Sequence, residues 1–225
     1  MTFTSVRGLL ALFAAMSLLA ASQQTGVHPI SGRRYAPVMG YQGADWLDRA
    51  ERLTEEEPDL AVLALQIPKG AIVADVGAGS GYMTMLLSKA VGPAGKVYAN
   101  DIQPEMIARL RQRLTKDKIA NVEPVLGNVS DPRLPDGALD LVLMVDVYHE
   151  LSEPQQMLRR IRQALKPSGR LVLLEYRKED SAVPIKPEHK MSVAEAKLEV
   201  EAEGYALAKV DGRLPRQHIL IFTRR

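Results

Sequence analysis

Apolar and polar positions follow two different periods from residue 71 onward, and these periods predict the elements of secondary structure. Short, nearly continuous apolar runs are typical of strands that are buried on both faces of a sheet. Most of these runs are followed by a stretch in which apolar residues recur every three or four positions, as on one face of a helix. The runs predict strands over 71–76, 96–100, 122–126, 139–147 and 171–175. The stretches predict helices over 82–90, 104–115, 152–165 and 192–203. Ser152 with Gln155, and Ser192 with Glu195, form capping-box patterns at the starts of the last two helices.

The end of the chain departs from this alternation. Residues 205–210 and 218–223 are both strand-like, and only a short turn-rich piece separates them, so they must pair antiparallel. We therefore predict an α/β fold with a doubly wound, mostly parallel, seven-stranded Rossmann-like sheet and an antiparallel C-terminal hairpin. Ligands of such sheets bind beyond the carboxyl ends of the strands. The candidate positions that fall at these ends are Gly77, Asp101, Asn128 and His149.

A glycine-rich segment follows the first predicted strand. Residues 75–81 have the sequence Asp-Val-Gly-Ala-Gly-Ser-Gly, and a predicted helix begins directly after them. Because glycine lacks a Cβ, this turn can take positive φ and let its backbone approach a ligand, while the helix start offers unpaired N–H groups to an anion. The spacing is G-x-G-x-G, whereas a nicotinamide dinucleotide site has G-x-G-x-x-G. A glycine turn without any ligand is the other alternative.

A second carboxylate accompanies the glycine segment. Asp75 opens the segment, and Asp101 lies twenty residues beyond Gly81, at the end of the next predicted strand. Two carboxylates beside one glycine loop suit a ligand that carries an amino group and ribose hydroxyls.

The pattern D-x-G-x-G-x-G resembles motif I of the class I S-adenosylmethionine (SAM) methyltransferases. Further family-like segments are residues 98–101, 127–128 with 134–140, and 166–170, so the resemblance covers roughly residues 59–225. It is nearest to the small-molecule branch, similar in layout to the quinone-methylating enzymes. The resemblance implies SAM as the cofactor and methyl transfer to a small-molecule acceptor. We divide the chain into a signal peptide (1–22), an N-terminal arm and helix that could form a lid (23–58) and a methyltransferase domain (59–225).

The resemblance also assigns roles to residues. It implies that Asp101 binds both ribose hydroxyls and that Asp75 orients the loop and the methionyl amino group. Asn128, where the family commonly has aspartate, would bond adenine N6. The alternatives are a solvated turn for Asp101 and a helix cap for Asp75. The residues predicted to bind the cofactor are Asp75, Gly77, Ala78, Gly79, Gly81, Asp101, Ile102, Asn128 and Val129.

The acceptor side is predicted from the end of the fourth strand. Methyl transfer needs a base only when the acceptor must first lose a proton, and an imidazole has the pKa range for that task. His149 is therefore the candidate catalytic base, and the alternative is a histidine that structures the loop. We expect Tyr41, Trp46, Tyr148 and Glu150 to line the acceptor pocket.

Composition excludes several other chemistries. The 225-residue chain has a net charge of +2 and 5% aromatic residues, so nucleic acid is not an expected partner. It has no cysteine, which excludes disulfides, cysteine-ligated zinc and a thiolate nucleophile. The four histidines lack metal-ligand spacing, so we predict no metal site. The alternative is a magnesium site if Asp146 and Glu175 converge.

The N-terminus has the composition of an export signal. Arg7 precedes a short apolar stretch, residues 9–21, that ends in small residues, which is typical of a secretory signal peptide. The stretch is too short for a normal membrane span of about 20 residues. We therefore expect an exported protein, periplasmic or secreted, with a cytoplasmic location as the alternative. A non-catalytic, exported SAM- or nucleoside-binding protein remains the second functional hypothesis.

Overall fold

A computed structural model describes residues 26–225, so the predicted signal peptide lies outside the described residues. The described chain forms a seven-stranded sheet in the order β3-β2-β1-β4-β5-β7-β6. The strands are β1 Ile72–Val76, β2 Lys96–Asp101, β3 Val122–Leu126, β4 Leu139–Val145, β5 Leu165–Tyr176, β6 Tyr205–Asp211 and β7 Gln217–Arg224. Strands β1 to β5 pair in parallel, whereas β7 is antiparallel to both β5 and β6. This topology confirms the predicted fold class.

Seven α-helices surround the sheet in residues 26–225. They are α1 Ala44–Leu47, α2 Arg52–Glu55, α3 Pro58–Ala64, α4 Tyr82–Val91, α5 Pro104–Lys116, α6 Pro154–Ala164 and α7 Val193–Glu201. Single turns of 3-10 helix occur at Tyr41–Gly43, Tyr148–Glu150 and Pro187–His189. None of the helices within residues 26–225 combines the length and the apolar character that crossing a bilayer requires.

Two apolar layers enclose the sheet, and β4 contributes to both because successive side chains point to opposite faces. Val142 and Met144 join the layer that includes α6 and α7. Leu141 and Leu143 join the layer that includes α3 and α4. Burying one such side chain stabilises the fold by about 1.5–3 kcal/mol. Both faces of the central strands are therefore buried in apolar layers. Polar groups that contact a ligand must lie at the strand ends.

Two helix and strand boundaries differ from the sequence predictions. The fourth strand, predicted to reach residue 147, ends at Val145 because Asp146 takes a left-handed backbone conformation with φ of 54°. The helix predicted from residue 152 begins at Pro154, with Glu153 as its N-cap, so the expected Ser152 capping box is wrong. Proline favours the first helical position, since its fixed φ suits the helix and its missing N–H is not needed there.

The N-terminal arm packs against the core through a buried ion pair. The Arg33 guanidinium donates to both carboxylate oxygens of Glu199 on α7, at 3.0 Å each. Its Nη1 also donates to the backbone carbonyl of His149 at 3.0 Å, and the Ala36 N–H donates to the same carbonyl at 3.0 Å. The arm therefore holds the turn that follows β4 in place.

Candidate active site

One large cavity opens at the carboxyl ends of the parallel strands, where the sequence predicted a ligand. Its volume is about 630 Å³, within the range of small-molecule and cofactor sites. We call one part of its wall the glycine-loop end, formed by Gly77, Gly79, Asp101 and Ile102. Another part, the histidine end, is formed by His149, Glu150, Ile185 and His189.

The glycine loop is fixed by backbone contacts. The N–H groups of Gly77 and Ala78 both donate to the carbonyl of Asn100, at 2.9 and 2.8 Å. Gly77 has a φ of 79°, and a Cβ there would lie 2.4 Å from Cγ2 of Val147. Glycine is thus required at residue 77 by its conformation and by the side chain from the β4 turn that packs against it.

Asp101 fastens the loop and faces the cavity. Its Oδ2 accepts the Gly79 N–H at 2.9 Å, and its Oδ1 accepts the Gln103 N–H at 2.9 Å. Burial raises the pKa of this carboxyl above its ordinary value, while the two N–H bonds oppose that rise. An ionised carboxylate offers about four acceptor sites. Two are occupied, so capacity remains for two hydroxyl donors from the cavity.

Asp75 points away from the cavity toward α4. Its Oδ2 accepts the Thr84 hydroxyl at 2.6 Å, and the side chain is buried. Burial raises the pKa of Asp75 to about 6, and the neighbouring Asp101 charge adds to the rise. Its predicted contact with a ligand amino group stays a prediction.

The other predicted cofactor residues divide between the cavity and the loop interior. Ile102 and Val129 line the cavity. Ala78 packs against Ala99 and Leu110 behind the loop. Gly81 is the N-cap of α4, with a φ of 85°.

Asn128 is exposed in the loop that follows β3. Its Oδ1 accepts the N–H groups of Ser130 and Asp131 at 2.9 and 2.8 Å, and the Ser130 hydroxyl at 3.1 Å. The amide oxygen therefore stabilises its own turn, and a contact with adenine stays a prediction.

His149 is held by a carboxylate that the sequence analysis did not assign to it. The Nδ1 atom of His149 lies 2.5 Å from Oε2 of Glu175, which is fully buried at the end of β5. The other oxygen of Glu175 accepts the Tyr148 N–H at 2.9 Å. Burial lowers the pKa of His149, but the charge and hydrogen bond of Glu175, together with the charges of Glu150 and Asp146, raise it by more in sum, so the net pKa lies above the ordinary value. This pair leaves Nε2 of His149 as the ring nitrogen that faces other groups.

His189 stands next to that nitrogen, although it lies 40 residues further along the chain. Its Nδ1 is 3.2 Å from Nε2 of His149 and 3.9 Å from Oε1 of Glu150. Burial and the nearby His149 lower the pKa of His189. Burial raises the pKa of Glu150 to about 7. The sequence analysis did not join His189 to His149, because the loop before α7 has no regular spacing relative to His149.

The three aromatic residues predicted for the pocket lie in different places. Trp46 lines the cavity with its side chain about half exposed, and the Arg49 guanidinium carbon lies 3.6 Å from its ring centroid. Tyr41 is partly exposed, and its N–H donates to Oε1 of Gln103 at 2.8 Å. Tyr148 is buried in the core beneath the turn, and its hydroxyl finds no hydrogen-bond partner among residues 26–225. Burial raises its pKa well above the ordinary value.

A further polar group on the cavity wall was also missed by the sequence analysis. Arg52 lines the cavity and donates to Oε2 of Glu56 at 2.7 Å, and both side chains are buried. The Tyr176 hydroxyl donates to the other oxygen of Glu56 at 2.9 Å. Asp146 also lines the cavity, and its pKa is raised well above the ordinary value by burial and then by the Glu175 charge. The i, i+4 spacing of Arg52 and Glu56 was the available signal.

Comparisons with known proteins agree with this geometry. A family model described as a methyltransferase domain matches residues 74–173. Two curated relatives are the ubiquinone/menaquinone biosynthesis C-methyltransferases UbiE of Hahella chejuensis and Escherichia fergusonii. Each is 34% identical to this chain, the first over 110 residues and the second over 113. These matches cover 48% and 50% of this chain but only 44% and 45% of those relatives, which is less than half of their length.

A solved structure gives a fuller match. The crystal structure of a SAM-dependent methyltransferase from Aquifex aeolicus has a TM-score of 0.78 and 30% sequence identity, covering 82% of this chain and 98% of that one. SAM is the cofactor of this family, and the glycine-loop end fits it. Bare backbone at Gly77 and Gly79 lies beside the spare acceptor capacity of Asp101, as a ribose requires. The chain belongs to the class I SAM-dependent methyltransferases.

Proposed function

We propose that this protein transfers the methyl group of SAM to a small organic acceptor whose reacting part lies at the histidine end. The observation that carries the proposal is the continuity of one cavity from Asp101 and the glycine loop to the buried His149–Glu175 pair. A cofactor end and a proton-accepting end of one cavity are what transfer to an acceptor that must first lose a proton requires.

The glycine-loop end would hold the cofactor. Asp101 would accept the ribose hydroxyls, and Gly77 and Gly79 would allow the backbone to approach the ligand. Ile102 and Val129 offer the apolar surface for the adenine ring. The guanidinium of Arg52 also lines the cavity and would attract the carboxylate of the cofactor. Arg52 already forms an ion pair with Glu56.

The histidine end would prepare the acceptor. When bound, SAM supplies an electrophilic methyl group on a sulfonium whose leaving group is neutral. The chain must align the acceptor and exclude water. Nε2 of His149 would take the proton from an acceptor hydroxyl, while Glu175 keeps Nδ1 protonated and the ring fixed. The deprotonated acceptor is then the stronger nucleophile.

The acceptor we propose is an aromatic compound with a ring hydroxyl, such as a hydroquinone. The cavity wall is mostly apolar, with Val38, Met39 and Ile185 among the lining residues. A flat apolar ring suits this wall, and its hydroxyl suits the buried imidazole. Loss of that proton makes both the oxygen and the adjacent ring carbon nucleophilic. The names of the UbiE relatives, as C-methyltransferases of ubiquinone and menaquinone biosynthesis, favour the ring carbon.

Calorimetry tests the cofactor half of the proposal. Wild-type protein should bind SAM and its demethylated product. Asp101→Ala should bind SAM about 10- to 150-fold more weakly, since a hydrogen bond to a charged group contributes about 1.5–3 kcal/mol. Asp117→Ala, which removes an exposed carboxylate after α5, is the matched control and should bind like wild type. If wild type binds neither ligand, the cofactor assignment to this cavity fails.

Product analysis tests the transfer half. Methyl-labelled SAM is incubated with a panel of hydroquinones, naphthoquinols and catechols, and mass spectrometry assigns the methyl group to carbon or oxygen. Transfer to carbon supports the proposal. Transfer to oxygen alone keeps the activity but overturns the preferred acceptor atom. SAM binding without transfer to any compound would favour the non-catalytic SAM-binding alternative.

A further inference from the structure

We infer that His149, His189 and Glu150 form a binding site for one divalent transition-metal ion, such as Zn²⁺, at the histidine end of the cavity. The inference shares this end with the proposed function but requires neither SAM nor a methyl acceptor. It replaces the expectation from sequence spacing that the chain has no metal site.

The distances between the three ligand atoms suit such an ion. Nε2 of His149, Nδ1 of His189 and a carboxylate oxygen of Glu150 all lie within 4.8 Å of one another. Zinc binds imidazole nitrogen at about 2.0–2.1 Å, so two nitrogens of a tetrahedral site lie roughly 3.3–3.4 Å apart. The two nitrogens here are 3.2 Å apart. The Glu150 oxygen, 3.9 Å from His189, needs only a small side-chain movement to complete the set.

The surroundings of His149 are those of a metal ligand. Metal-binding histidines usually donate their second ring N–H to a carboxylate, which fixes the ring and strengthens the ligand. Glu175 occupies that position on Nδ1, and the Tyr148 N–H holds its other oxygen. Nε2 of His149 is therefore the nitrogen available to a metal ion, and the ring orientation that this requires exists without the ion.

The ligand set also selects the kind of ion. Two imidazoles and one carboxylate suit Zn²⁺, Fe²⁺ or Co²⁺, whereas Mg²⁺ and Ca²⁺ prefer sites built from oxygen. Three protein ligands leave a coordination position open to the cavity. An ion on Nε2 of His149 would occupy the lone pair needed for proton transfer, so the ion-bound protein could not use His149 as a base.

A direct hydrogen bond between the two imidazoles is the competing explanation of the 3.2 Å distance. It accounts for the histidines but gives Glu150 no part in the cluster. The two explanations differ in one respect that can be measured, because only the metal site makes Zn²⁺ affinity depend on all three residues.

The test uses the full protein after removal of metal with a chelator. Calorimetric titration with Zn²⁺ should give one ion per chain, and Co²⁺ should give the visible absorption of a low-symmetry site. His189→Ala should weaken Zn²⁺ binding at least 100-fold, and Glu150→Gln at least tenfold. Glu175→Gln should weaken it about 10- to 100-fold through the orientation of His149. Glu188→Gln, a neighbouring carboxylate outside the three-residue group, is the control and should bind like wild type.

Several results would overturn the inference. They are the absence of Zn²⁺ binding to wild type, equal binding by His189→Ala, or a loss in Glu188→Gln as large as in Glu150→Gln. Circular dichroism and melting temperature verify that each variant is folded. SAM binding is measured separately with chelator present. Its persistence without Zn²⁺ binding would reject the metal site alone, whereas Zn²⁺ binding without SAM binding would reject the proposed function alone.

Discussion

The two ends of the cavity are built in opposite ways. The glycine-loop end comes from one continuous piece of chain, in which residues 75–103 supply the loop, Asp101 and the N–H groups that Asp101 binds. The histidine end is assembled from the turn after β4, the end of β5 and the loop before α7. Its backbone is held by Arg33, 116 residues away from His149 in sequence.

Because of this difference, the two ends should be sensitive to different kinds of substitution. The glycine-loop end depends on local backbone conformation, so a side chain added there is the damaging change. The histidine end depends on contacts between distant segments, so the loss of one side chain is the damaging change. Variants at each end should therefore affect different measurements.

The largest effect is expected at the histidine end. In His149→Asn, the amide can still donate to Glu175, but the ring nitrogen that would take the proton is gone. Turnover with the acceptor found in the panel should fall about 10²- to 10⁴-fold, the usual contribution of a general base. SAM affinity, measured by calorimetry, should not change. An equal loss of SAM affinity would show that the two ends are not separable.

A smaller effect, on stability, is expected from Gly77→Ala at the glycine-loop end. The new Cβ conflicts with Val147 at 2.4 Å, and φ is 79°. Gly70→Ala is the matched control, since its φ is 81° and nothing lies within 4 Å of its Cβ position. The free energy of unfolding, from urea titration, should fall by about 1–2 kcal/mol in the control and by roughly 1–3 kcal/mol more in Gly77→Ala.

Val147→Ala extends this test, because it removes the two methyl groups that a Cβ at residue 77 would strike. The double variant Gly77→Ala/Val147→Ala should lose less stability than the two single changes added together. Simple additivity, or equal losses in Gly77→Ala and Gly70→Ala, would contradict the role of the Val147 contact.

The smallest effect concerns Asp75, which lies beneath the glycine loop. Its native pKa is about 6, above the ordinary 3.8, so the folded state holds the proton more tightly than the unfolded state. The stability contribution is therefore present at low pH and is lost as pH rises through about 6. Relative to Asp75→Asn, wild type should lose about 1 kcal/mol of unfolding free energy between pH 5 and pH 8. A constant difference across this range would contradict the raised pKa.

The same contrast explains how far the sequence could predict the molecule. The mostly parallel sheet and the C-terminal hairpin followed from periodicity, because buried strands and amphipathic helices carry local signals. Asp101 and the glycine loop were recognisable together, since one short segment contains both. His149 was identified as a candidate, but Glu175 and His189 were not joined to it, because β-sheet pairing and loop packing bring them together only in the folded chain.

Helix starts show the same limit at smaller scale. The Ser192–Glu195 capping box was predicted and is present, with both reciprocal hydrogen bonds formed. The similar pattern at Ser152 failed because Pro154 two residues later determines where α6 begins. A capping motif therefore predicts the start of a helix only where no nearby residue, such as a proline, favours a different start.

The carbonyl of His149, which accepts hydrogen bonds from Arg33 and Ala36, has a practical consequence for anyone who handles this protein. The segment that leads into the domain supports the backbone of the turn that carries His149. Shortening it past residue 33 removes the contact of Arg33 with the His149 carbonyl, so under the proposed function such a product should lose turnover even when it is folded.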